Sequence, residues 1–232
     1  MKTAVVLCNG EFPKKEYPLW LLKSADIIIC CDSARNVGRL RRLGLEPTLL
    51  VGDMDSTPEK LQKTLGDRLV KVQEQDDNDL AKAFNLLRKR FPEATEIHIL
   101  GAGGKNEAHT VGNLGWLMEW ERRSLAETGT GLSGQGINVD MVSDWSTAFA
   151  LSPSYSGPDG STLSPVEIYV GEGRRISLFS TEPSLRIVSV GLEWQLDGVD
   201  LSRWWAATLN RSTSDTVSLS FNRQEPLLVV LD

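Results

Sequence analysis

The alternation of short apolar runs with amphipathic stretches over the first 123 residues constrains the fold more than any other feature of this 232-residue chain. Runs rich in Val, Ile and Leu, which favour strands, lie at 3–8, 26–31, 48–51, 68–72 and 96–100. Helical spacing of apolar residues falls between and after them, at 34–43, 58–65, 80–90 and 110–123. Strand–helix–strand order with continuously apolar strands predicts a mostly parallel, Rossmann-like α/β sheet covered by helices on both faces.

The composition and the spacing of apolar residues change after this region. Residues 127–136 contain too much glycine for a regular element and are typical of a linker or mobile loop. Short strand patterns separated by Gly, Pro, Ser and Asp then follow, at 137–143, 148–151, 166–170, 176–179, 185–190, 216–221 and 227–231. The sequence therefore predicts an α/β domain over 1–125, a glycine-rich linker over 126–136 and an all-β sandwich or barrel-like domain over 137–232.

Charge and hydropathy exclude several functional classes. Residues 1–136 carry 19 basic and 19 acidic side chains, whereas 137–232 carry 6 basic and 12 acidic, for a net charge of −6 over the chain. This balance argues against the broad basic face of a nucleic-acid-binding protein. No window has the roughly 18 apolar residues that a membrane-spanning helix needs, and the first apolar run is too short for a signal peptide. We expect a soluble, cytoplasmic protein with reduced core cysteines.

Aspartates follow three successive predicted strands, where a parallel α/β sheet binds its ligands. Asp32 follows 26–31, Asp53 and Asp55 follow 48–51, and three more follow 68–72, namely Asp76, Asp77 and Asp79. In an extended segment Asp53 and Asp55 would project on the same side. Two carboxylates about 4 Å apart repel by about 4 kcal/mol at an effective dielectric near 20, so such a cluster needs a cation. Oxygen ligands without His or Cys indicate Mg²⁺.

Each of these aspartates taken alone has a simpler interpretation. Asp and Ser are common where strands become helices, because they cap unpaired N–H groups. Asp79, just before the helical pattern 80–90, fits a helix N-cap well. Recurrence after three strands favours a shared metal site over three separate caps.

A glycine-rich segment, 101–110, follows the fifth predicted strand and leads into a helix. Its glycines, Gly104 among them, allow close backbone approach, and a helix N-terminus favours phosphate. With Lys105 and His109 the segment is a candidate phosphate loop, although such loops also serve as turns and His109 could have a structural role. Asn9, after the first strand, is either a further contact or part of a turn.

Tryptophan is concentrated in the β region, where Trp194, Trp204 and Trp205 lie within twelve residues. A tryptophan face can hold a flat or cationic ring. The alternative is core packing, which we expect for at least one of the three.

These motifs, in this order, resemble the thiamine pyrophosphokinase family over nearly the whole chain. The resemblance rests on the segments Cys31-Asp32-Ser33, Gly52-Asp-Met-Asp-Ser56, Gln75-Asp-Asp-Asn-Asp-Leu-Ala-Lys82, Ala108-His-Thr-Val-Gly-Asn113, Ile176–Phe179 and Gly191-Leu-Glu-Trp-Gln-Leu196. It implies transfer of pyrophosphate from ATP to the hydroxyl of thiamine, giving thiamine diphosphate and AMP. It also implies a homodimer with active sites between the α/β part of one subunit and the β part of the other.

The resemblance also implies roles for individual residues. Asp32, Asp53, Asp55, Asp79 and Lys82 would be catalytic, with Asp53, Asp55 and Asp79 holding Mg²⁺ and Lys82 contacting phosphate. Contacts to nucleotide or phosphate would come from Asn9, Gln75, Asn78, Gly104, Lys105 and His109. Thiamine would be bound by Trp194, Thr208 and Asn210.

The chain departs from the family pattern at three places. Asn106 and Ala108 stand where the family has Arg and Asp, Ser33 stands where it has Gly, and 207–211 replaces its thiamine-contacting Gly-Thr-Ser-Asn-Glu. Two alternatives therefore stay open, a pyrophosphokinase for another ring-bearing alcohol such as a pterin, and a non-catalytic protein that binds nucleotide or thiamine.

Overall fold

The computed structural model describes residues 1–55, 57–73, 77–156 and 160–232. Contacts between Cα atoms divide the chain into two compact units, which we call the first and second units. The first unit comprises Met1–Trp116 and Ile137–Asp144, and the second comprises Leu117–Gly136 and Trp145–Asp232. The domain boundaries given above stay a prediction.

The sheet of the first unit is parallel throughout. Its strands are β1 (Lys2–Leu7), β2 (Ile27–Cys31), β3 (Leu49–Gly52), β4 (Leu69–Lys71), β5 (Ala94–Leu100) and β6 (Asn138–Val142). They lie in the order β6-β5-β1-β2-β3-β4, so β1 is central. Strands β2 and β3 are buried along their whole length, as the continuously apolar runs predict for strands covered on both faces.

Helices connect these strands. They are α1 (Glu16–Ser24), α2 (Ala34–Arg42), α3 (Glu59–Leu65), α4 (Asp79–Arg90) and α5 (Glu107–Thr128), the last of which runs from the first unit into the second. The Ser33 hydroxyl caps α2 by accepting from the backbone N–H of Asn36. The sequence patterns above do not include α1, which carries Pro18 in its first turn, where proline removes no helical hydrogen bond.

Strand β6 departs from the sequence-based expectation. The glycine-rich composition of 126–136 predicts a domain break, with 137–143 opening the β region. The strand instead pairs in parallel with β5, placing Val139 opposite Ile97, and belongs to the first unit. The reason is that α5 is the crossover helix between two parallel strands, β5 and β6. The glycine-rich segment completes this crossover connection, so its change of composition does not mark the end of the parallel sheet.

The second unit holds the antiparallel strands. These are β7 (Thr147–Leu151), β8 (Tyr155–Ser156), β9 (Thr162–Leu163), β10 (Val166–Tyr169), β11 (Arg175–Phe179), β12 (Ile187–Val190), β13 (Asn210–Arg211), β14 (Thr216–Phe221) and β15 (Leu227–Leu231). One layer runs β13-β11-β15-β7 and the other β10-β14-β12. Side chains of both layers, such as Leu178 and Leu219, form one apolar core, as the alternating pattern predicts for a sandwich.

The glycine-rich segment of the second unit is held by a buried carboxylate. Glu121, on α5, is 1% exposed and accepts hydrogen bonds from the backbone N–H of Leu132 at 2.9 Å and the hydroxyl of Ser152 at 2.5 Å. Burial raises the pKa of Glu121, although both hydrogen bonds oppose that change. In the part of the chain described here, no helix is long and apolar enough to span a bilayer.

Candidate functional site

A cavity of about 480 Å³ lies in the first unit where the strands reach their carboxyl ends. It is lined by the last residue of β2, by segments that follow β1, β3 and β5, and by the starts of α4 and α5. The lining includes Asn9, Asp53, Asp77, Asn78, Asp79, Lys82, Lys105, Asn106 and His109, but not Asp32. Most residues that the sequence singled out in the α/β region therefore line one space. In an open parallel sheet this is the expected place for a ligand.

Asp32 follows β2 and lies against the end of β3. A Cβ atom on Gly52 would come within 2.2 Å of the Cβ of Asp32, so only glycine allows the two strand ends to approach this closely. The carboxylate of Asp32 accepts a hydrogen bond from the Thr57 hydroxyl at 2.7 Å. Glycine on one strand thus creates the space that the carboxylate of its neighbour fills.

Asp32 and Asp53 form a carboxyl pair, joined by a hydrogen bond between their side chains. Partial burial and the carboxylate of Asp53 raise the pKa of Asp32, against the opposing hydrogen bond from Thr57. The backbone N–H of Asp55, and next the hydrogen bond with Asp32, lower the pKa of Asp53. Two carboxylates in contact repel each other, so the pair is suited to a divalent cation, which would offset the charge of both.

The segment between Asp53 and Asp55 is a turn rather than an extended strand. Met54 has a φ of 68° and is 4% exposed, its side chain packing in the core of the first unit. This left-handed residue brings the N–H of Asp55 to 3.0 Å from Oδ1 of Asp53. Asp53 lines the cavity, whereas Asp55 is exposed and is not among its lining residues. The expectation that both project on the same side depended on an extended backbone and is wrong.

The start of α4 supplies charge of both signs. Asn78, and not Asp79, is the helix cap, its Oδ1 accepting from the N–H of Ala81 at 2.9 Å. Asp79 is the first helical residue, where a carboxylate interacts favourably with the helix dipole. Lys82, one turn later, is 8% exposed, lines the cavity and has no hydrogen-bond partner among the residues that the structure describes. A buried ammonium group in this position is suited to an anion.

The glycine-rich segment packs directly against the turn after β1. The backbone N–H of Gly10 donates to the carbonyl of Gly101 at 2.6 Å, and that of Glu11 donates to Gly103 at 2.7 Å. A Cβ on Gly10 would lie 2.3 Å from the Gly101 oxygen, so the approach requires glycine. Asn9 and Gly10 are therefore more than an isolated turn, since they form one wall of the cavity together with the glycine-rich segment.

Side-chain amides connect the parts of the cavity wall. Asn113 is 8% exposed, donates to the carbonyl of Ala102 at 2.8 Å and accepts from the Asn78 amide at 3.0 Å. Asn78 thus links α4 to α5, and Asn113 links α5 to the loop before it. Asn106 caps α5 by accepting from the N–H of His109 at 3.1 Å. The sequence interpretation did not assign this cap, although Asn just before a helical pattern is a known signal.

Lys105 closes one side of the cavity. Its ammonium group donates to the backbone carbonyl of Asn9 at 2.6 Å, and the Asn9 amide oxygen also accepts from the Ser33 hydroxyl at 3.1 Å. Two cysteines that the sequence interpretation assigned to the core, Cys8 and Cys31, also line the cavity. All three cysteines are free and buried, and the pKa of Cys31 is raised by its hydrogen bond with Cys8 and by burial.

The predicted acceptor-binding residues lie in the second unit. Trp194 is 57% exposed, and Thr208 is exposed with its hydroxyl donating to the carbonyl of Trp205 at 3.2 Å. Asn210 is 3% exposed, and its amide both accepts from the N–H of Trp194 at 3.1 Å and donates to its carbonyl at 2.7 Å. Asn210 therefore positions Trp194. Trp204 donates to the carbonyl of Ser180 and packs on Phe179, and it is only partly buried.

Two predicted positions fall outside these groups. Gln75 and Asp76 lie outside the described residues, and Gly104 lines a neighbouring cleft instead of the cavity. Within the described ranges, no three carboxylate, imidazole or thiol side chains are close enough to hold a metal ion. Asp53, Asp55 and Asp79 thus form no three-ligand cluster. The Asp32–Asp53 pair still fits Mg²⁺, which proteins often hold with one or two carboxylates while substrate phosphates and water complete the shell.

Solved thiamin pyrophosphokinases share this fold. The enzyme of Geobacillus thermodenitrificans is 18% identical with a TM-score of 0.71, over 99% of this chain and 97% of that chain. The Bacillus subtilis enzyme is 17% identical with a TM-score of 0.70, over 100% and 99%. The yeast enzyme is 16% identical with a TM-score of 0.69, over 100% and 87%.

Sequence comparison gives a narrower match. No curated protein matches the chain. Residues 19–127 match the family described as thiamin pyrophosphokinase, catalytic domain, and they include Asp32, Asp53, Asp79 and Lys82. The chain is therefore similar to the thiamin pyrophosphokinase family in the sequence of residues 19–127, somewhat under half of its length, and in the fold of the whole chain.

Proposed function

We propose that the protein is a thiamine diphosphokinase, which transfers pyrophosphate from ATP to the hydroxyl of thiamine and releases AMP. The observation that carries the proposal is the pairing of the Asp32 and Asp53 carboxyls. The buried Lys82, which has no hydrogen-bond partner within the described ranges, lines the same cavity as Asp53. Transfer to phosphorus depends mainly on positioning and on neutralising charge, and these groups are suited to both.

Asp32 and Asp53 are the residues that would hold Mg²⁺, with Asp79 on the wall of the same cavity. When bound, the ion would neutralise charge on the phosphate oxygens. Lys82 would bind a phosphate oxygen directly, because burial leaves its charge little screened. The N–H groups at the start of α5 would add neutral donors, which helix N-termini offer to phosphate.

The transfer forms a bond between the thiamine hydroxyl oxygen and the β-phosphorus. The bond from that phosphorus to the oxygen bridging to the α-phosphate breaks, and AMP leaves with the bonding electrons. The hydroxyl proton passes to Asp79, a cavity-lining carboxylate outside the Asp32–Asp53 pair and on the first turn of α4. The network of Asn78 and Asn113 holds Asp79 in place through the cap of α4.

The proposal includes a homodimer in the cytoplasm, with the exposed ring of Trp194 covering the acceptor. An exposed tryptophan whose backbone is fixed by a buried amide offers a rigid face for a flat cationic ring. A second candidate is a pyrophosphokinase for another ring-bearing alcohol. The observation that favours it is that Asn210 uses its amide on the Trp194 backbone and so leaves fewer polar groups to read thiamine.

The test is an AMP-release assay. Purified protein with MgATP and thiamine is expected to give AMP and thiamine diphosphate in equal amounts, and excess chelator is expected to abolish both. A matched reaction with a hydroxymethyl pterin separates the two candidates. Absence of AMP with either acceptor, across several triphosphates and divalent metals, would exclude a pyrophosphokinase.

A further inference from the structure

Two polar side chains tie the turn after β1 to the start of α2. Asn36, 1% exposed in the first turn of α2, donates from its amide to the carbonyl of Cys8 at 2.7 Å. Ser33, the N-cap of α2 and also buried, donates its hydroxyl to Oδ1 of Asn9 at 3.1 Å. The first contact holds backbone at the end of β1, and the second holds a side chain that lines the cavity.

The surroundings determine the direction of the bond between Ser33 and Asn9. The Ser33 oxygen accepts from the backbone N–H of Asn36 at 3.3 Å, so its own proton is left for Asn9. The ammonium group of Lys105, which can only donate, lies 3.4 Å from the same Oδ1 of Asn9. Two donors therefore face the amide oxygen. Reversing the amide would place its NH₂ group against an ammonium group, so Oδ1 stays on this side.

The nitrogen of the Asn9 amide is left without a protein partner. Asn9 is exposed and lines the cavity, and among the residues that the structure describes none accepts a hydrogen bond from its Nδ2. Oxygen and nitrogen lie on opposite sides of a planar amide, so an oxygen turned toward Ser33 and Lys105 leaves the nitrogen facing away from them. The amide therefore offers a neutral N–H donor, which can bind the oxygen of an anion without adding charge to the cavity.

We propose that Ser33 is a positioning residue, which orients the Asn9 amide so that its nitrogen donates to a phosphate oxygen of the ligand. This inference rests on the proposed function, which places a triphosphate in the cavity. Ser33 does not line the cavity itself and so acts through Asn9. It stands at one of the positions where the chain departs from the family pattern, and glycine there has no hydroxyl to donate.

Helix capping gives another explanation for a serine at position 33. Capping requires only that the hydroxyl oxygen accepts from Asn36, and it places no condition on the direction of the hydroxyl proton. Glycine at an N-cap costs little stability compared with serine, whereas alanine costs more. Both substitutions remove the donor to Asn9. Comparing them therefore separates the capping role of Ser33 from its effect on Asn9.

The test is a double-mutant cycle on MgATP binding, measured by calorimetry on the full chain without acceptor. Ser33→Gly is expected to weaken MgATP binding about threefold to tenfold, the effect of one misplaced hydrogen bond. In the Asn9→Ala background the same substitution is expected to have no further effect, because the amide that it orients is gone. Ser33→Ala should weaken binding by the same factor as Ser33→Gly, but with a lower midpoint of urea unfolding.

Ser24→Gly is the matched control. The hydroxyl of Ser24 also donates to a protein oxygen, the carbonyl of Trp20 at 2.8 Å, but it belongs to α1 and does not line the cavity. Its removal is expected to leave MgATP binding at the wild-type value.

The possible outcomes separate this inference from the proposed function. Unchanged MgATP affinity in Ser33→Gly, or an equal loss of affinity with and without the Asn9 amide, overturns the positioning role. Absence of MgATP binding by the wild type overturns both proposals. Failure of thiamine turnover, with the coupling between Ser33 and Asn9 intact in MgATP binding, rejects the proposed acceptor and leaves the inference standing.

Discussion

The two units of the chain use their polar side chains in different ways. In the first unit the groups around the cavity are buried or fixed by neighbours, as Asn78 is by Asn113 and Asn113 by Ala102. In the second unit the buried amide of Asn210 supports an exposed ring, that of Trp194. Fixed carboxylates and cations are suited to charge that develops during a reaction, whereas a supported but exposed ring is suited to capturing a ligand.

Removing the first unit's carboxylate pair should produce the largest effect. Asp53→Asn is expected to lower kcat about a thousandfold, because the variant loses transition-state charge stabilisation. The free energy of unfolding should not fall, since the repulsion between Asp32 and Asp53 is removed. AMP release and urea unfolding measure the two. Asp55→Asn is the control, because Asp55 does not line the cavity, and an equal loss of kcat there would contradict the distinction.

Trp194 and Asn210 should separate binding from support in the second unit. Trp194→Ala is expected to raise the acceptor KM about tenfold, through loss of a stacking face, while stability changes by less than about 0.5 kcal/mol. Asn210→Ala should lower the free energy of unfolding by about 2 kcal/mol, because it leaves buried backbone groups of Trp194 unpaired.

Steady-state kinetics and denaturant unfolding measure these two effects. Trp20→Ala is a matched control, since Trp20 is 59% exposed and lies on α1 in the first unit. Its acceptor KM should stay at the wild-type value. Loss of stability in Trp194→Ala comparable to that in Asn210→Ala would show that the ring supports the fold instead of the ligand.

The smallest expected effect is a pH dependence of stability from Glu121. Burial raises the pKa of Glu121 from an ordinary value of 4.5. The contribution of Glu121 to the free energy of unfolding is therefore fully present below pH 4.5, and it is lost as the pH rises through the raised pKa of the folded state. Glu121→Gln should remove this decline, and Glu127→Gln, an exposed position on α5, should retain it. Unfolding free energies from pH 4 to 8 measure the slope. A decline that persists in Glu121→Gln would assign it to another group.

Local patterns predicted much of this architecture. Continuously apolar runs identified β1 to β3, and the position of Asp32 and Asp53 after them followed from the ligand rule for parallel sheets. The left-handed turn at Met54 could not be predicted from the sequence, because the spacing of Asp53 and Asp55 also fits an extended strand. The turn depends on the Met54 side chain packing in the core of the first unit. A buried residue can thus change which neighbour faces a site.

Features that depend on distant segments could not be predicted. A cleft of about 490 Å³ beside the candidate site is lined by Lys14, Arg39 and Lys105, which come from three separate parts of the chain. None of these parts is basic enough to stand out in the sequence. The role of Asn210 depends on hydrogen bonds to a residue 16 positions away. The motif resemblance predicts a ligand contact for Asn210. A motif gives the residue type at a position and contains no information on the direction of its amide.

The close approach of Gly52 to Asp32 means that the lack of a side chain at position 52 is itself needed for the site. The atom that an alanine would add occupies the place of the Asp32 Cβ, so a substitution there acts on the carboxylate pair without changing any charged group. Among random variants this position should therefore tolerate as little as a catalytic aspartate. A comparison of chemically reactive residues alone would overlook Gly52. The Asp32–Asp53 pair nevertheless depends on the lack of a side chain at this position.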